Sequence, residues 1–495
     1  MFLPRVLIRP IILLLKFTLL GLTFNFKIMK KIFITICFLS LIVSCSSDLL
    51  NVNPEAQKVS SQFYTNASEI EQGIISVYGS LQYTGQYQLA MPALGELPSD
   101  NTYDEVPAND SFTYGELDFF TIQPNNSLIA SAWKDNYIGI QQANIILTRI
   151  DKIPDMTDAL KNTRIGEMKF LRALMYFNLV RIYGDVPLVL KETTNVNDYF
   201  GQPRTPVAEV YSAIEKDLKD AINLLPATAA QKGRVTKGAA LGILGKVLLT
   251  QKKFAESLTY LSQVEPLGYQ LLTDVNKIFD VANKNNAEII FDVQFTSGLN
   301  GNSEGSTAFQ MFSPSGSVSG AKGHNLPTKE VYNLYSAGDT RRSAYIGLTS
   351  SGVPFSKKLV KTSNTIADGG SNFVVLRLAD VFLMMAECFA EQNDFANANI
   401  YVNKIKGRAG IAPVSLSTKD SLLNEIDRER RLEFVGEGHR WFDLLRTGKA
   451  ISVMTAYFNN NAGYSTAQIK PYHLLMPVPQ GQINTDPAIK QNPGY

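Results

Sequence analysis

The densest run of ionisable side chains is Asp427-Arg428-Glu429-Arg430-Arg431-Leu432-Glu433-Phe434, followed by Glu437, His439, Arg440, Asp443 and Arg446. Two carboxylates from such a run could serve a glycosidase, one as acid and the other as base or nucleophile. The spacing argues for something else. Arg430, Glu433, Glu437, Arg440 and Asp443 recur every three or four residues, which sets acids beside arginines on helical faces. An arginine beside a carboxyl keeps it ionised, whereas a general acid must hold its proton near neutral pH. The run therefore reads as a structural ion network, with a catalytic pair as the rival reading.

Other chemistries find little support. No Gly-rich phosphate loop, GxSxG elbow or HExxH pair occurs. His324, His439 and His473 stand far apart, and with three cysteines they make a multi-ligand metal site unexpected. No cofactor is implied. The formal charge of +2 hides an asymmetry, because residues 1–44 hold six basic residues and no acid. The remainder carries 41 basic and 45 acidic side chains, a net charge of −4. Such a body offers no electrostatic footprint for nucleic acid.

Binding chemistry is easier to place. Tyr83, Tyr87, Tyr103, Phe112 and Tyr114 lie in a loop-like stretch, interleaved with Asp100, Asn101, Asp104 and Asn109. Ser297 to Gly323 is a second loop, with six glycines, seven serines, Phe309 and Phe312. Flat apolar faces beside short hydrogen-bonding groups suit a sugar, whose ring has one greasy face and a rim of hydroxyls. The alternative for each aromatic is that it pins its loop to the body. Trp133 and Trp441 fall on apolar helical faces and read as core, so a stacking platform must use Tyr or Phe.

The elements that position these loops are mostly helical. Residues 66–85, 128–150, 162–183 and 206–225 repeat apolar positions every three or four residues. Asn66 and Glu69 are spaced as a capping box, Gly184 stops the third helix, and Thr205-Pro206 opens the fourth. Gly245 to Ala255 aligns without a gap to Ala386 to Ala396, both ending in Phe-Ala. Small residues late in one helix, a short polar turn and a phenylalanine opening the next resemble the tetratricopeptide hairpin. Residues 288–295 alternate as a strand, and helix is expected again over 374–391, 394–407 and 421–447. The expected fold is mainly α, with tetratricopeptide-like helical hairpins as a scaffold, an irregular loop-rich ligand-binding half and minor β.

The first residues fix the compartment. Met29-Lys30-Lys31 is a positive n-region, and the apolar run from Ile32 to Val43 is too short to span a bilayer. It ends in Ile42-Val43-Ser44-Cys45, which resembles a bacterial lipobox. Cleavage would leave Cys45 as the acylated N-terminus, anchored by chains worth ~0.8 kcal/mol per buried CH₂. An uncleaved membrane anchor is the alternative. Cys37 departs with the leader, so Cys388 alone remains and no intramolecular disulfide can form.

Ordered motifs then tie the chain to one family. They are Trp133 through Ala143-Asn144 to Ile150, Glu167 with Leu171-Arg172-Ala173, and Tyr183-Gly184-Asp185-Val186-Pro187-Leu188. Further on come Glu288-Ile289-Ile290-Phe291, Arg377-Leu378-Ala379-Asp380 with Ala386-Glu387, and Asn403 to Arg408-Ala409-Gly410. The last are Glu429-Arg430-Arg431-Leu432-Glu433-Phe434, Glu437-Gly438-His439-Arg440-Trp441-Phe442-Asp443-Leu444 and Gln491-Asn492-Pro493-Gly494-Tyr495. Over nearly the whole mature chain the sequence resembles the SusD/RagB outer-membrane lipoproteins of Bacteroidetes.

The resemblance implies capture without catalysis. An oligosaccharide, or in some members a peptide, is bound at the cell surface and passed to a TonB-dependent SusC-like barrel. The second complete signal beginning at Met29 makes residues 1–28 read as a start codon placed too early, with a genuine N-terminal extension as the alternative. The chain then divides into a lipoprotein signal peptide (29–44), a lipidated tether (45–65) and an N-terminal helical region (66–226). A tetratricopeptide-like hairpin region (227–280) and a RagB/SusD C-terminal domain (281–495) follow. The segment Glu96 to Asn101 looks like the family's loop beside the ligand face, which adds Asp100, Asn101 and Tyr103 to Tyr87, Phe309 and Phe312 as candidate ligand-binding residues. Location in the outer membrane through acylated Cys45 completes the expectation, with a lipid-anchored glycoside hydrolase as the remaining rival.

Overall fold

Helical periodicity becomes helix, with ends set by identifiable caps. The structure is a computed structural model that describes residues 63–195, 197–299, 301 and 304–495. The readings made for the leader, for Cys45 and for its tether up to residue 62 lie outside the described residues. Among the described residues, the longer helices of the first half are α1 (Ala67–Ser80), α2 (Ser127–Arg149), α3 (Asp158–Tyr183), α4 (Val207–Leu224), α5 (Lys237–Thr250) and α6 (Phe254–Leu261). After a loop-rich stretch come α7 (Leu378–Glu391), α8 (Phe395–Arg408), α9 (Lys419–Glu433), α10 (Arg440–Thr447) and α11 (Ala450–Asn460).

Asn66 caps α1, its Oδ1 accepting from the Glu69 N–H at 3.0 Å. The reciprocal half of the expected capping box is displaced by one residue, since Glu69 accepts from the Thr65 N–H at 2.8 Å. Pro206 occupies the N-cap of α4 itself, one place earlier than expected. α3 lies between α2 and α4 and is buried from Gly166 almost to its end at Gly184, whose φ of 73° only glycine adopts at little cost. Trp133 and Trp441 are both core, as expected.

The repeat is realised as two hairpins, α5–α6 and α7–α8, with α7 packed on α6 and α5. Their tips match in backbone: Lys252 (φ 60°) and Asn393 (φ 62°), at equivalent positions of the two copies, are both left-handed. Lys253 N–H donates to the Leu248 carbonyl and Asp394 N–H to that of Phe389, each at 2.9 Å. Gly245 allows the close approach, because a Cβ there would lie 2.4 Å from Leu261.

Among the described residues, six short strands, β1 (Thr102–Tyr103), β2 (Ile289–Val293), β3 (Leu326–Pro327), β4 (Ile346–Leu348), β5 (Pro354–Ser356) and β6 (Phe373–Arg377), pair antiparallel as β1–β3, β2–β6 and β4–β5. Two expectations change. Residues 373–377 are a strand, so the helix read from 374 begins at Leu378. The single helix read over 421–447 is two, broken at Gly436 (φ 79°) and Gly438 (φ 78°). Arg430 and Glu433 therefore do not share a helix with Arg440 and Asp443, and the ion pairs between the two groups are tertiary.

Candidate functional site

The acid–arginine run forms the hub on which the loops hang. Arg377, at the end of β6, spends all its N–H groups. Nε donates to Glu437 Oε2 at 2.9 Å, and Nη1 donates to Glu288 Oε1 at 2.9 Å and Glu433 Oε1 at 2.6 Å. Nη2 donates to the Glu433 carbonyl at 3.0 Å and Glu437 Oε1 at 2.8 Å. Arg341 and Arg408 also reach Glu433. Burial alone would raise the Glu433 carboxyl, but Arg408, Arg377 and Arg341 outweigh it and hold it well below the carboxylate range. An ionised, buried carboxylate cannot donate a proton near pH 7. Arg430 binds Asp380 and Asp443, each at 2.8 Å, so the cluster is the ion network the sequence indicated.

From this hub the N-terminal loop is clasped. Arg440 grips Asp100 through Nε at 2.8 Å and Nη2 at 3.1 Å, while Arg431 donates to Asn101 Oδ1 at 2.7 Å and the Asp100 carbonyl at 2.8 Å. Burial opposes the charge on Asp100, yet Arg440 and Arg431 keep its carboxyl below the usual value. Glu96 Oε1 accepts from the Gly438 and His439 N–H groups, both at 3.1 Å. Burial lifts that carboxyl to about 7. Gly95 lies so close to Gly438 that a Cβ would sit 2.1 Å from its carbonyl oxygen.

Beyond the clasp the chain forms a shelf. β1 pairs Tyr103 with Leu326 of β3, which brings the 103–114 loop beside the glycine-serine loop. His324 is fully buried between them, with Nδ1 2.9 Å from Asp104 Oδ1 and Nε2 2.9 Å from Asp110 Oδ2. Tyr114 stacks on its ring at 4.2 Å, and Phe312 meets Tyr114 edge-on at 6.3 Å. Asp110, Ser111 and Phe112 are left-handed in succession, with φ of 49°, 59° and 63°. Each costs about 1–2 kcal/mol in a non-glycine residue, strain of the kind that gathers at functional sites. Lys322 holds Asp110 at 3.1 Å, and the turn leaves Phe112 37% exposed. Beneath the shelf, Asp118 accepts from Tyr464 OH at 2.8 Å and the Asp104 N–H at 3.0 Å, and burial pushes its carboxyl up to about 8.

Comparisons with known proteins place this architecture. The family model described as "SusD family" matches residues 338–495, and one described as "Starch-binding associating with outer membrane" matches 48–249. A SusD-like protein of Formosa agariphila is 26% identical over 93% of this chain and 99% of its own length. The chain belongs to the SusD/RagB family. Starch-binding protein SusD of Bacteroides thetaiotaomicron is 24% identical over 72% of this chain and 76% of its own. A solved laminarin-binding SusD-like protein superposes with a TM-score of 0.77, at 29% identity, over 87% of this chain and all of that one.

Within this SusD/RagB chain the six candidate residues separate. Asp100 and Asn101 are buried in the clasp, where the Asp100 carboxylate accepts from Arg440 and Asn101 Oδ1 accepts from Arg431. Tyr87 is buried under α3, its hydroxyl exchanging hydrogen bonds with Asn178 at 3.0 and 3.2 Å. Phe312 is spent on Tyr114. Those four are buried, whereas Tyr103 and Phe309 are half-buried and keep accessible surface. Sequence reasoning missed His324 as the hub of the two loops. Its flanks are distinctive in the structure, since Gly323 and Asn325 are both left-handed, at φ 84° and 52°. Glycine and asparagine are the residues that adopt this conformation most readily, and that pairing was the available signal. Cavities of about 280 and 310 Å³ lie away from the shelf, one between the two hairpins, α9 and α10, the other against β2.

Proposed function

We propose that this protein is a lipid-anchored surface receptor that captures oligosaccharide on the Tyr103–Phe112 shelf and passes it to a TonB-dependent SusC-like channel in the outer membrane. The observation that carries the reading is the strained Asp110–Phe112 turn, pinned by His324 and Lys322 so that an aromatic ring faces solvent. Half-buried Tyr103 and Phe309 on the two adjoining loops supply further apolar faces. Relatives whose names state laminarin or starch binding support a glycan as cargo. Catalysis forms no part of the proposal: the acids that might have formed a glycosidase pair are enclosed by arginines. Anchoring rests on the lipobox at Cys45.

Affinity electrophoresis against soluble polysaccharides, laminarin and starch included, tests the reading. Tyr103→Ala and Phe112→Ala should each weaken binding about tenfold, ~1.4 kcal/mol, with no change in melting temperature. Unchanged affinity in both variants refutes the shelf. Retention of peptides with no polysaccharide would favour the peptide-binding form of the same transport role. Cys45→Ala should move the protein to the soluble fraction, and persistent membrane retention would refute the anchor.

A further inference from the structure

A second concave surface runs between the end of α1 and strand β2 and, apart from Glu304 of the glycine-serine loop, shares no lining residue with the shelf. Two cavities, of about 310 and 210 Å³, have Gly233, Phe291 and Asp292 in common and adjoin as one groove floored by β2. Its polar lining includes several side-chain amides beside the carboxylates of Asp292 and Glu304. Asn285 and Gln294 exchange hydrogen bonds of 3.0 and 3.1 Å, and Gln82 Nε2 donates to the Gln294 carbonyl at 2.7 Å. These bonds fix the amides; Gln294, which also donates to Asp292 Oδ1, has no hydrogen left, whereas Asn285 and Gln82 are not exhausted. A primary amide has two hydrogens and two lone pairs. Asn285 uses one hydrogen and one lone pair, and Gln82 a single hydrogen, so each keeps a donor and an acceptor.

Apolar walls complete the groove. Ile75 lines it on the α1 side and is 60% exposed. Tyr269 lines it on the other side, its half-buried ring resting where a Cβ on Gly238 would come within 2.6 Å. Arg234 is neutralised by Glu71 at 2.9 Å and Glu167 at 2.8 Å, and the lining's other cation, exposed Lys232, is matched in number by the carboxylates of Asp292 and Glu304, which leaves no net positive field for an acidic polymer. Fixed amides offering donor and acceptor together match vicinal hydroxyls, which both give and take hydrogen bonds. A peptide adding to a sheet would need an open strand edge, and residues 290–293 of β2 are buried as the floor.

We infer that this groove, bounded by Gln82, Asn285, Gln294, Ile75 and Tyr269, is a second binding station for a neutral oligosaccharide. The inference rests on the reading that the protein holds glycans and adds a site where none is assigned. Two variants probe it from opposite directions: Gln82→Ala removes an amide, and Thr228→Trp plugs the groove from an exposed loop position. Each should weaken retention of neutral polysaccharides three- to tenfold, with the melting temperature unchanged. In the wild-type protein, titration with laminarihexaose or maltohexaose, whichever is bound, should shift the side-chain amide NMR signals of Gln82 and Asn285. Wild-type affinity in both variants, with Phe112→Ala still impaired, overturns the second station alone. Retention confined to sulfated or uronate-bearing chains overturns the neutral assignment. Failure of the wild-type protein to retain any polysaccharide overturns the glycan reading and this inference together.

Discussion

Replacing Arg377 by methionine should expose how the ion hub supports the molecule. The substitution keeps much of the side chain's apolar volume and deletes five donors at once, four of them aimed at the carboxylates of Glu288, Glu433 and Glu437. Breaking a buried ion pair by removing one partner costs about 3–5 kcal/mol, because the remaining charge stays buried without compensation. Here each acid retains another cation: Arg408 for Glu288, Arg408 and Arg341 for Glu433, Lys358 for Glu437. That confines the loss to the same range even though three acids are affected. With unfolding entropy near ~2.1 cal/mol/K per residue, the body Tyr64–Tyr495 gives about 0.9 kcal/mol/K, so the melting temperature should fall by roughly 3–6 °C.

Urea titration of wild type and variant at several pH values is the assay. Glu433 is depressed in the folded state, so its contribution is complete above about 4.5 and disappears as pH falls through its folded value. The gap between wild type and variant should accordingly be widest at pH 6–7 and narrow below pH 4. A loss under ~1 kcal/mol at pH 7, or a gap that widens in acid, would falsify the claim that Arg377 compensates these charges.

Three further substitutions probe the shelf, the clasp and α1. Asp118 is raised from 3.8 to about 8, so the folded state holds a proton that the unfolded chain releases, and stability should decline as pH rises between those values. Asp118→Asn should abolish that decline, which amounts to at most about 1.4 kcal/mol per pH unit, and parallel stability–pH curves would refute it. Gly95→Ala should destabilise by about 1–3 kcal/mol through collision with the Gly438 backbone, whereas Gly79→Ala, with nothing within 4 Å, should stabilise α1 by roughly 0.5–1 kcal/mol. Equal effects from these two glycines in thermal melts would contradict the close packing at Gly95.

How much was legible depended on the distance between partners. Helices α1 to α4 and the matched hairpin tips were readable, because caps, apolar spacing and the Phe-Ala repeat are local. The ion network was recognised in kind but not in geometry: two left-handed glycines, Gly436 and Gly438, split the helix that the spacing extends. From sequence alone β6 reads as helix, because its Val-Val-Leu run flows without interruption into α7. Only pairing with β2, on the far side of the glycine-serine loop, makes it a strand. Asp100 and Asn101 look like ligand groups in a loop, and their true partners, Arg440 and Arg431, belong to helices near the other end of the chain. The three left-handed residues of the shelf include no glycine to announce them.

The attachment of α3 carries a consequence for assembly. Asn492 donates to the Tyr183 carbonyl at 3.0 Å and to that of Met476 at 2.8 Å, and Met476 N–H donates to the Ile182 carbonyl at 2.8 Å. The buried end of a helix near the front of the molecule is thus sealed by the last segments of the sequence. A polypeptide threaded through a membrane with its amino end leading must leave that joint open until those segments emerge. On the proposed export route, closure of the α3 joint is therefore coupled in time to passage of the C-terminal segments.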